Sequence, residues 1–338
     1  MRKSGIFILG TLLSFGFLFT KIDSVAVEAS EKMVCIGGQA AGFTLKTGEV
    51  QVIGICEVLS VNGAESPAMH AGLRAGDCIV KIDGIRIESV EELNEIIEKS
   101  KEKPLNIEIK RNGEVFTRKI QPIKDKITEK RKIGVLVRDC VSGIGTITYI
   151  DKENGRFGAL GHSVSNENKE EMQIKSGAVY ECSIVGINKG VRGRAGELRG
   201  MFLNDKCFGN AQKLCNCGIF GEISSGFKQM NAESAVASSD GVKPGKAYIY
   251  STINGVCPKK YDVEIVKVDK FNRENKNYVI KITDEELISE TGGIVQGMSG
   301  SPIIQGEYIV GAITHVVVED PHRGYGILIE NMLEEAEN

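Results

Sequence analysis

Between Ser89 and Ile120 the apolar positions change their period from helical to alternating. In SVEELNEIIEKS, Val90, Leu93, Ile96 and Ile97 fall on one helical face, which predicts an amphipathic helix. Ser89 and Glu92 have capping-box spacing at its start. The next stretch, LNIEIKRNGEVFTRKI, alternates apolar and polar residues on both sides of Asn112-Gly113, which predicts a hairpin. Upstream, Ser66 is placed to cap a short helix with Pro67 in its first position and Gly72 as its left-handed stop. GLRAGD then turns the chain into a strand, and the whole reads as a small β-barrel with one longer helix. From Pro122 to Lys132 the chain is charged and poor in large apolar residues, as a solvated connector would be. Beyond it come short strands such as GIGTITYI, YDVEIVKV and YVIKI without long helices between them, so a barrel or sandwich is expected rather than a parallel α/β sheet. Gly143-Ile144-Gly145 lacks the third glycine, the helix and the acidic residue of a dinucleotide-binding fingerprint.

Composition supports a mainly β chain. There are 338 residues, enough for about two domains, and 40 glycines against 7 prolines favour tight turns and short strands. A net charge of −3 provides no basic field for nucleic acid, and that partner class is set aside. Arg2 and Lys3 precede an apolar run from Ile6 to Phe19, which reads as an export signal over residues 1–29. Val27 and Ala29 place small residues where a signal peptidase cuts; an uncleaved anchor, extended by Gly5 and Thr20, is the alternative and would give membrane contact through this segment. The nine cysteines are an odd number without zinc spacing. Cys215 and Cys217 form a C-x-C with no second pair and no nearby histidine, so most of the thiols read as small hydrophobes. In an exported chain, so many unpatterned thiols suit a reducing or anaerobic habitat.

The segment SPAMHAGLRAGDCIVKIDG resembles a PDZ domain, with the likeness running over about ninety residues, 31–124. That resemblance implies a loop whose backbone N–H groups hold a peptide terminus while the peptide adds a strand. Ala41, Gly42, Phe43, Thr44 and Leu45, in AGFTL, take that place; an ordinary turn is the alternative. His70 reads as a surface residue. Residues 125–132 are assigned to the linker and 133–338 to the second domain.

The second domain carries GMSGSP at Gly297–Pro302. A hydroxyl attacking a carbonyl needs a base within hydrogen-bond reach and backbone donors facing the developing oxyanion. Gly297 and Ser299 offer those two N–H groups on one side of a tight turn, and Gly300 lets the chain leave it. The stretch, with its returning hairpin PIIQGEYIVGAITHV, resembles the G-x-S-G-x-P signature of chymotrypsin-like serine proteases. In that likeness Ser299 is the nucleophile and Ser301 a turn residue. Of the four histidines, His315 reads as a strand residue and His322 as a loop residue. His162 ends an apolar strand in FGALGHSVS, a placement resembling the catalytic histidine of that fold.

GIGTITYI leading into GALGH, FGIFG, GGIVQGMSGSPIIQGEYIVGAITHV and GYGILIENML together resemble the SpoIVB peptidase family across nearly the whole chain. The resemblance implies a chymotrypsin-like β-barrel serine peptidase behind a PDZ domain. It implies a sporulation enzyme of the forespore, exported across or anchored in the forespore inner membrane and facing the space between the two membranes. Self-cleavage is implied, then cutting of a membrane-associated regulator of an intramembrane protease, which triggers late sigma-factor activation in the mother cell. Asp284 matches the acid of the family pattern, whereas Asp205, Asp240, Asp262 and Asp269 show no convergent pattern. The alternative for Asp284 is a helix start, with Thr283 and Glu286 as a capping box and Asp284 in the first turn. Asn166 stands where relatives are expected to carry an aspartate. The expected chemistry is acyl transfer by Ser299, His162 and Asp284, and no step calls for a metal or organic cofactor. A PDZ scaffold without activity and a PDZ-bearing quality-control protease are the rival readings.

Overall fold

The computed structural model describes residues 32–101, 103–164, 173–203, 207–224 and 234–337. The export segment 1–29, Asn166 and Asp205 lie outside the described residues. Among those described, no helix is long and apolar enough to cross a membrane.

The predicted first-domain elements form. The helix spans Val90–Lys99, the Ser89 hydroxyl accepts from the Glu92 N–H at 3.1 Å, and Leu93 and Ile97 are buried. The Glu92 carboxylate reaches back to the Glu88 N–H, one residue before the usual capping-box partner. Strands Leu105–Arg111 and Glu114–Ile120 close over Asn112 and Gly113, both at positive φ, as the twist of a two-residue hairpin requires. The short helix Pro67–His70 starts at its proline, but the Ser66 hydroxyl donates to Cys56 O instead of accepting a helix N–H. Val50, Val52, Ile79, Ile82, Leu93, Ile97, Ile107, Ile109, Ile120 and Ile133 share one core.

Strands from the first expected domain also pair within the second. Lys32–Ile36 pairs with Val135–Asp151 and with Ser234–Ala237, inside the second domain's sheet. The strand Ala40–Ile55 is sixteen residues long and belongs to both domains. Its first half lies between Val135–Asp151 and Ser176–Asn188, and its second half meets Cys78–Ile82 of the PDZ-like core. Residues 125–132 form a hydrogen-bonded turn whose residues 126–130 are exposed to solvent. The buried Asp125 carboxylate accepts from the N–H groups of Ile127 and Thr128 and from the Thr128 hydroxyl, and Arg131–Lys132 pairs with Ile123–Lys124.

The rest is antiparallel β-structure, except for the parallel pairing of Ser234–Ala237 with Tyr308–Val316, built around separate cores. One gathers Phe43, Leu45, Ile147, Phe157, Ala159, Leu160, Val179 and Ile219. Another gathers Ile249, Val263, Ile265, Ile280, Met298, Ile303 and Ile313. A third lies beneath the C-terminal helix Ile329–Glu337. His162 follows the end of the first of these cores and Ser299 follows Met298 of the second, so the candidate residues meet at a seam.

A fragment beginning at Ile133 lacks Lys32–Ile36 and the first half of Ala40–Ile55. It is expected to show no cooperative unfolding by circular dichroism, whereas a fragment beginning at Lys32 does. Cooperative folding of the shorter fragment would refute the shared-strand architecture.

Candidate active site

The serine turn is positioned by the strand Val135–Asp151. Thr146 bonds it twice, its N–H donating to Ser299 O at 2.9 Å and its hydroxyl to Gly297 O at 2.8 Å, while its carbonyl accepts the Leu160 N–H at 3.3 Å. Two residues on, the Thr148 hydroxyl donates to Gly300 O at 2.8 Å. Both threonines are buried. Sequence reasoning missed them; the available signal was two hydroxyl residues at strand spacing within the apolar run GIGTITYI.

Such closeness demands glycine. A Cβ on Gly300, which sits at φ +95°, would lie 2.0 Å from Thr146 O and 2.6 Å from Leu160 N. Leu160 and Gly161 both take positive φ just before His162, an arrangement rare for leucine. The Leu160 side chain lies over Gly145, where a Cβ would come within 2.0 Å of it.

Within Gly297–Ser301 the N–H groups divide by use. Met298 donates to Val295 O, Gly300 to Ile313 O and Ser301 to Met298 O. The N–H groups of Gly297 and Ser299 donate to no described residue. These are the two donors expected to face an oxyanion. The Ser301 hydroxyl is buried and donates to the Ser251 hydroxyl at 3.0 Å, so it is structural.

Ser299 is half-buried, and its hydroxyl donates to Thr314 O at 2.7 Å. The adjacent His315 ring packs on His162 with centroids 4.6 Å apart and planes tilted by 40°. An irregularity in the ladder between Ile313 and Val316 places Thr314 and His315 at a bulge, a device that re-aims side chains. No hydrogen bond joins Ser299 to His162 in this arrangement. His162 Nδ1 lies 2.6 Å from Ser163 O. A carbonyl only accepts, so Nδ1 carries the proton and Nε2 keeps its lone pair.

Desolvation lowers the His162 pKa from 6.5, against the opposing pull of Ser163 O. His315 is lowered to about 4, first by desolvation and then by the charges of His162 and Lys276. Its outer edge is solvent-exposed, which moderates the burial effect, but the direction leaves it neutral at pH 7.

Asp284 is not brought to His162. It is the N-cap of the helix Glu285–Thr291, with one oxygen accepting from Leu287 N at 3.0 Å and the other from Asp262 N at 3.2 Å. Among the described residues no carboxylate bonds His162. The helix alternative for this segment therefore describes its geometry, with the cap one residue later than Thr283.

Ala41, Gly42, Phe43, Thr44 and Leu45 do not form a terminus-binding loop. They lie near the start of the strand Ala40–Ile55, which is paired here on both edges, Gly42 opposite Ile144 on one side and Tyr180 on the other, so no edge is open to an added peptide strand. A Cβ on Gly42 would meet the Phe202 ring at 2.1 Å. His70 and His322 are exposed and take no part in the site.

Fold and site together define a barrel protein of the chymotrypsin-like serine-peptidase type with a PDZ domain set into it. The chain belongs to the SpoIVB peptidase S55 family, whose model matches residues 129–333. A PDZ-domain model matches residues 58–111. Over 91 residues the chain is 35% identical to a Bartonella henselae protein named as a zinc metalloprotease, covering 27% of this chain and 24% of that one. An Enterococcus faecalis protein named as a probable protease is 37% identical over 68 residues, 20% of this chain and 16% of its own length. The chain thus spans about a quarter or less of the length of these curated relatives. A solved PDZ domain of an SdrC-like protein from Listeria monocytogenes is 23% identical over 26% of this chain and 90% of that chain, with a TM-score of 0.21.

Thr146→Val keeps the side-chain shape but leaves the buried Gly297 carbonyl without its donor. The expected cost is about 1–3 kcal/mol, read as a lower urea midpoint. An unchanged midpoint would deny the hydroxyl its role.

Both imidazoles bind protons more weakly in the folded chain than in the unfolded one. Their contribution to stability is therefore present above pH 6.5 and lost as pH falls through the native values. NMR titration is expected to place both His162 and His315 below 6.5. A His162 midpoint at or above 6.5 would contradict its desolvated setting.

Proposed function

We propose that the chain is a serine endopeptidase with Ser299 as nucleophile and His162 as general base. The observation that carries this reading is the serine turn itself, whose two uncommitted N–H groups, at Gly297 and Ser299, flank the hydroxyl while Thr146 ties the turn to the strand that delivers His162. The hydroxyl leaves Thr314 O by rotation and turns to His162 Nε2. It attacks the peptide carbonyl as its proton passes to Nε2, and the oxyanion settles on the two N–H groups. His162 then gives that proton to the leaving amine, and water releases the acyl group with the same base. The Ser163 carbonyl holds the proton on Nδ1, the tautomer-fixing task an aspartate performs in a triad, which leaves Asp284 as a helix cap.

Family membership supports the finer reading. The enzyme acts in sporulation, cleaves itself, and then cuts a membrane-associated regulator that restrains an intramembrane protease, leading to late sigma-factor activation in the mother cell. The apolar run Ile6–Phe19 supports delivery across, or anchoring in, the forespore inner membrane. The PDZ domain supports recognition of a peptide terminus, at a place other than Ala41–Leu45.

Ser299→Ala and His162→Ala are each expected to abolish self-cleavage, followed by whole-protein mass spectrometry, and to lower turnover of an unstructured protein reporter by about a millionfold. Ser301→Ala should retain activity. Asp284→Ala should retain turnover while losing about 1 kcal/mol of stability with the cap. A thousandfold loss of turnover in that variant, with the fold intact, would restore Asp284 as the orienting acid.

A further inference from the structure

The strands Gly209–Cys215 and Gly218–Ile223 form a hairpin in which Cys215 pairs with Gly218 across Asn216-Cys217. The tight turn folds the second thiol back over the first, and the Cys217 N–H lies 3.4 Å from Cys215 Sγ. The C-terminal helix brings a carboxylate to the same spot. Lys213 Nζ donates to both Glu335 O at 2.9 Å and Glu335 Oε2 at 2.6 Å, tying the helix to the hairpin. The two sulfurs and a Glu335 oxygen all lie within 4.8 Å of one another, and no other such group of three occurs among the described residues.

We propose that Cys215, Cys217 and Glu335 bind a thiophilic divalent cation, zinc above all, as a clamp between the hairpin tip and the C-terminal helix. Two sulfurs and one oxygen form a donor set suited to zinc, with a water completing the tetrahedron. Tetrahedral zinc with sulfur at about 2.3 Å and oxygen at about 2.0–2.2 Å holds its donors roughly 3.5–3.8 Å apart. The donors lie within 4.8 Å of one another, so a closure of about an ångström at most, by side-chain rotation, brings them to that spacing. Glu335 can keep Lys213 on Oε2, because Oε1 makes no hydrogen bond among the described residues. Cys217 is buried while Cys215 and Glu335 are partly exposed, so the ion has a way in.

An outer shell is already built. Asn275, at positive φ, directs its amide to Cys217 Sγ at 3.4 Å and to Asn216 O at 3.1 Å, and its own carbonyl accepts from Asn331 of the C-terminal helix at 3.1 Å. Donors aimed at a sulfur stabilise its thiolate and fix its direction, the work that second-layer groups perform around a metal. Neither Ser299 nor His162 is among its donors, so its effect is to hold the helix and not to hydrolyse.

The test titrates the purified full chain, under a phosphine reductant, with zinc by calorimetry and with cadmium by the ultraviolet cadmium–thiolate band. One equivalent is expected, with a cadmium band of two-thiolate intensity and a raised melting temperature. Cys215→Ser and Cys217→Ser should each weaken binding by at least about a hundredfold, and Asn275→Ala by about tenfold or more. Glu335→Gln should weaken it as well, while Cys207→Ser and Cys257→Ser, at exposed thiols, should leave it unchanged. Less than half an equivalent, no thiolate band in the unaltered chain, or undiminished binding in the folded Cys215→Ser and Cys217→Ser variants would overturn the site.

Discussion

The three hydrogen bonds of Thr146 are the constraint on which the rest of this molecule depends. Ser299 and His162 are far apart in sequence and sit on different hydrophobic cores. Nothing local holds them in register. A single buried strand residue reaches the carbonyls on both sides of Met298 and, through its own carbonyl, the backbone leading into the histidine. Because the hydroxyl has no water to turn to, breaking any of these contacts leaves an unsatisfied polar group in the interior. Thr148 repeats the device on Gly300, so the serine turn is fixed to one strand at three of its carbonyls.

That arrangement also decides which donors remain for chemistry. The turn uses the N–H groups of Met298, Gly300 and Ser301 for its own closure, and those of Gly297 and Ser299 are left over. Preorganised donors of this kind cost no reorganisation when charge develops. The close approach is possible only because Gly300 and Gly145 leave room for a neighbouring carbonyl and a leucine side chain. On the histidine side, the Ser163 carbonyl and the His315 ring fix tautomer and tilt without a carboxylate.

The PDZ domain is not a bead on a string. Ala40–Ile55 and Val135–Asp151 pair with each other along nearly their whole shared length, one end in each domain's core. Val135–Asp151 is also the strand that carries Thr146 and Thr148, so one strand runs from the PDZ core to the serine turn. Asp139 of the same strand accepts the Val90 N–H at the start of the PDZ helix. Events at the PDZ domain thus have a continuous hydrogen-bonded path to the site.

The sequence by itself determined the features that depend on neighbours along the chain. The helix Val90–Lys99, the Asn112-Gly113 hairpin, the β character of the second domain and the serine turn with its two leftover donors are all local: periodicity, turn chemistry and motif spacing specify them. Only the tertiary structure decided which strands pair. A strand sequence states which residues alternate but not which edge they meet, and AGFTL became a central strand between two partners instead of a binding loop. Asp284 was legible as an acid near a helix start, but whether a carboxylate caps a helix or orients an imidazole depends on which group the fold brings within hydrogen-bond reach, and here that is Leu287 and Asp262. For the same reason the contacts of Thr146, of the Ser163 carbonyl and of the Glu335 carboxylate beside Cys215 and Cys217 took the fold to show, because each rests on chain distant in sequence or on a backbone atom that every residue possesses.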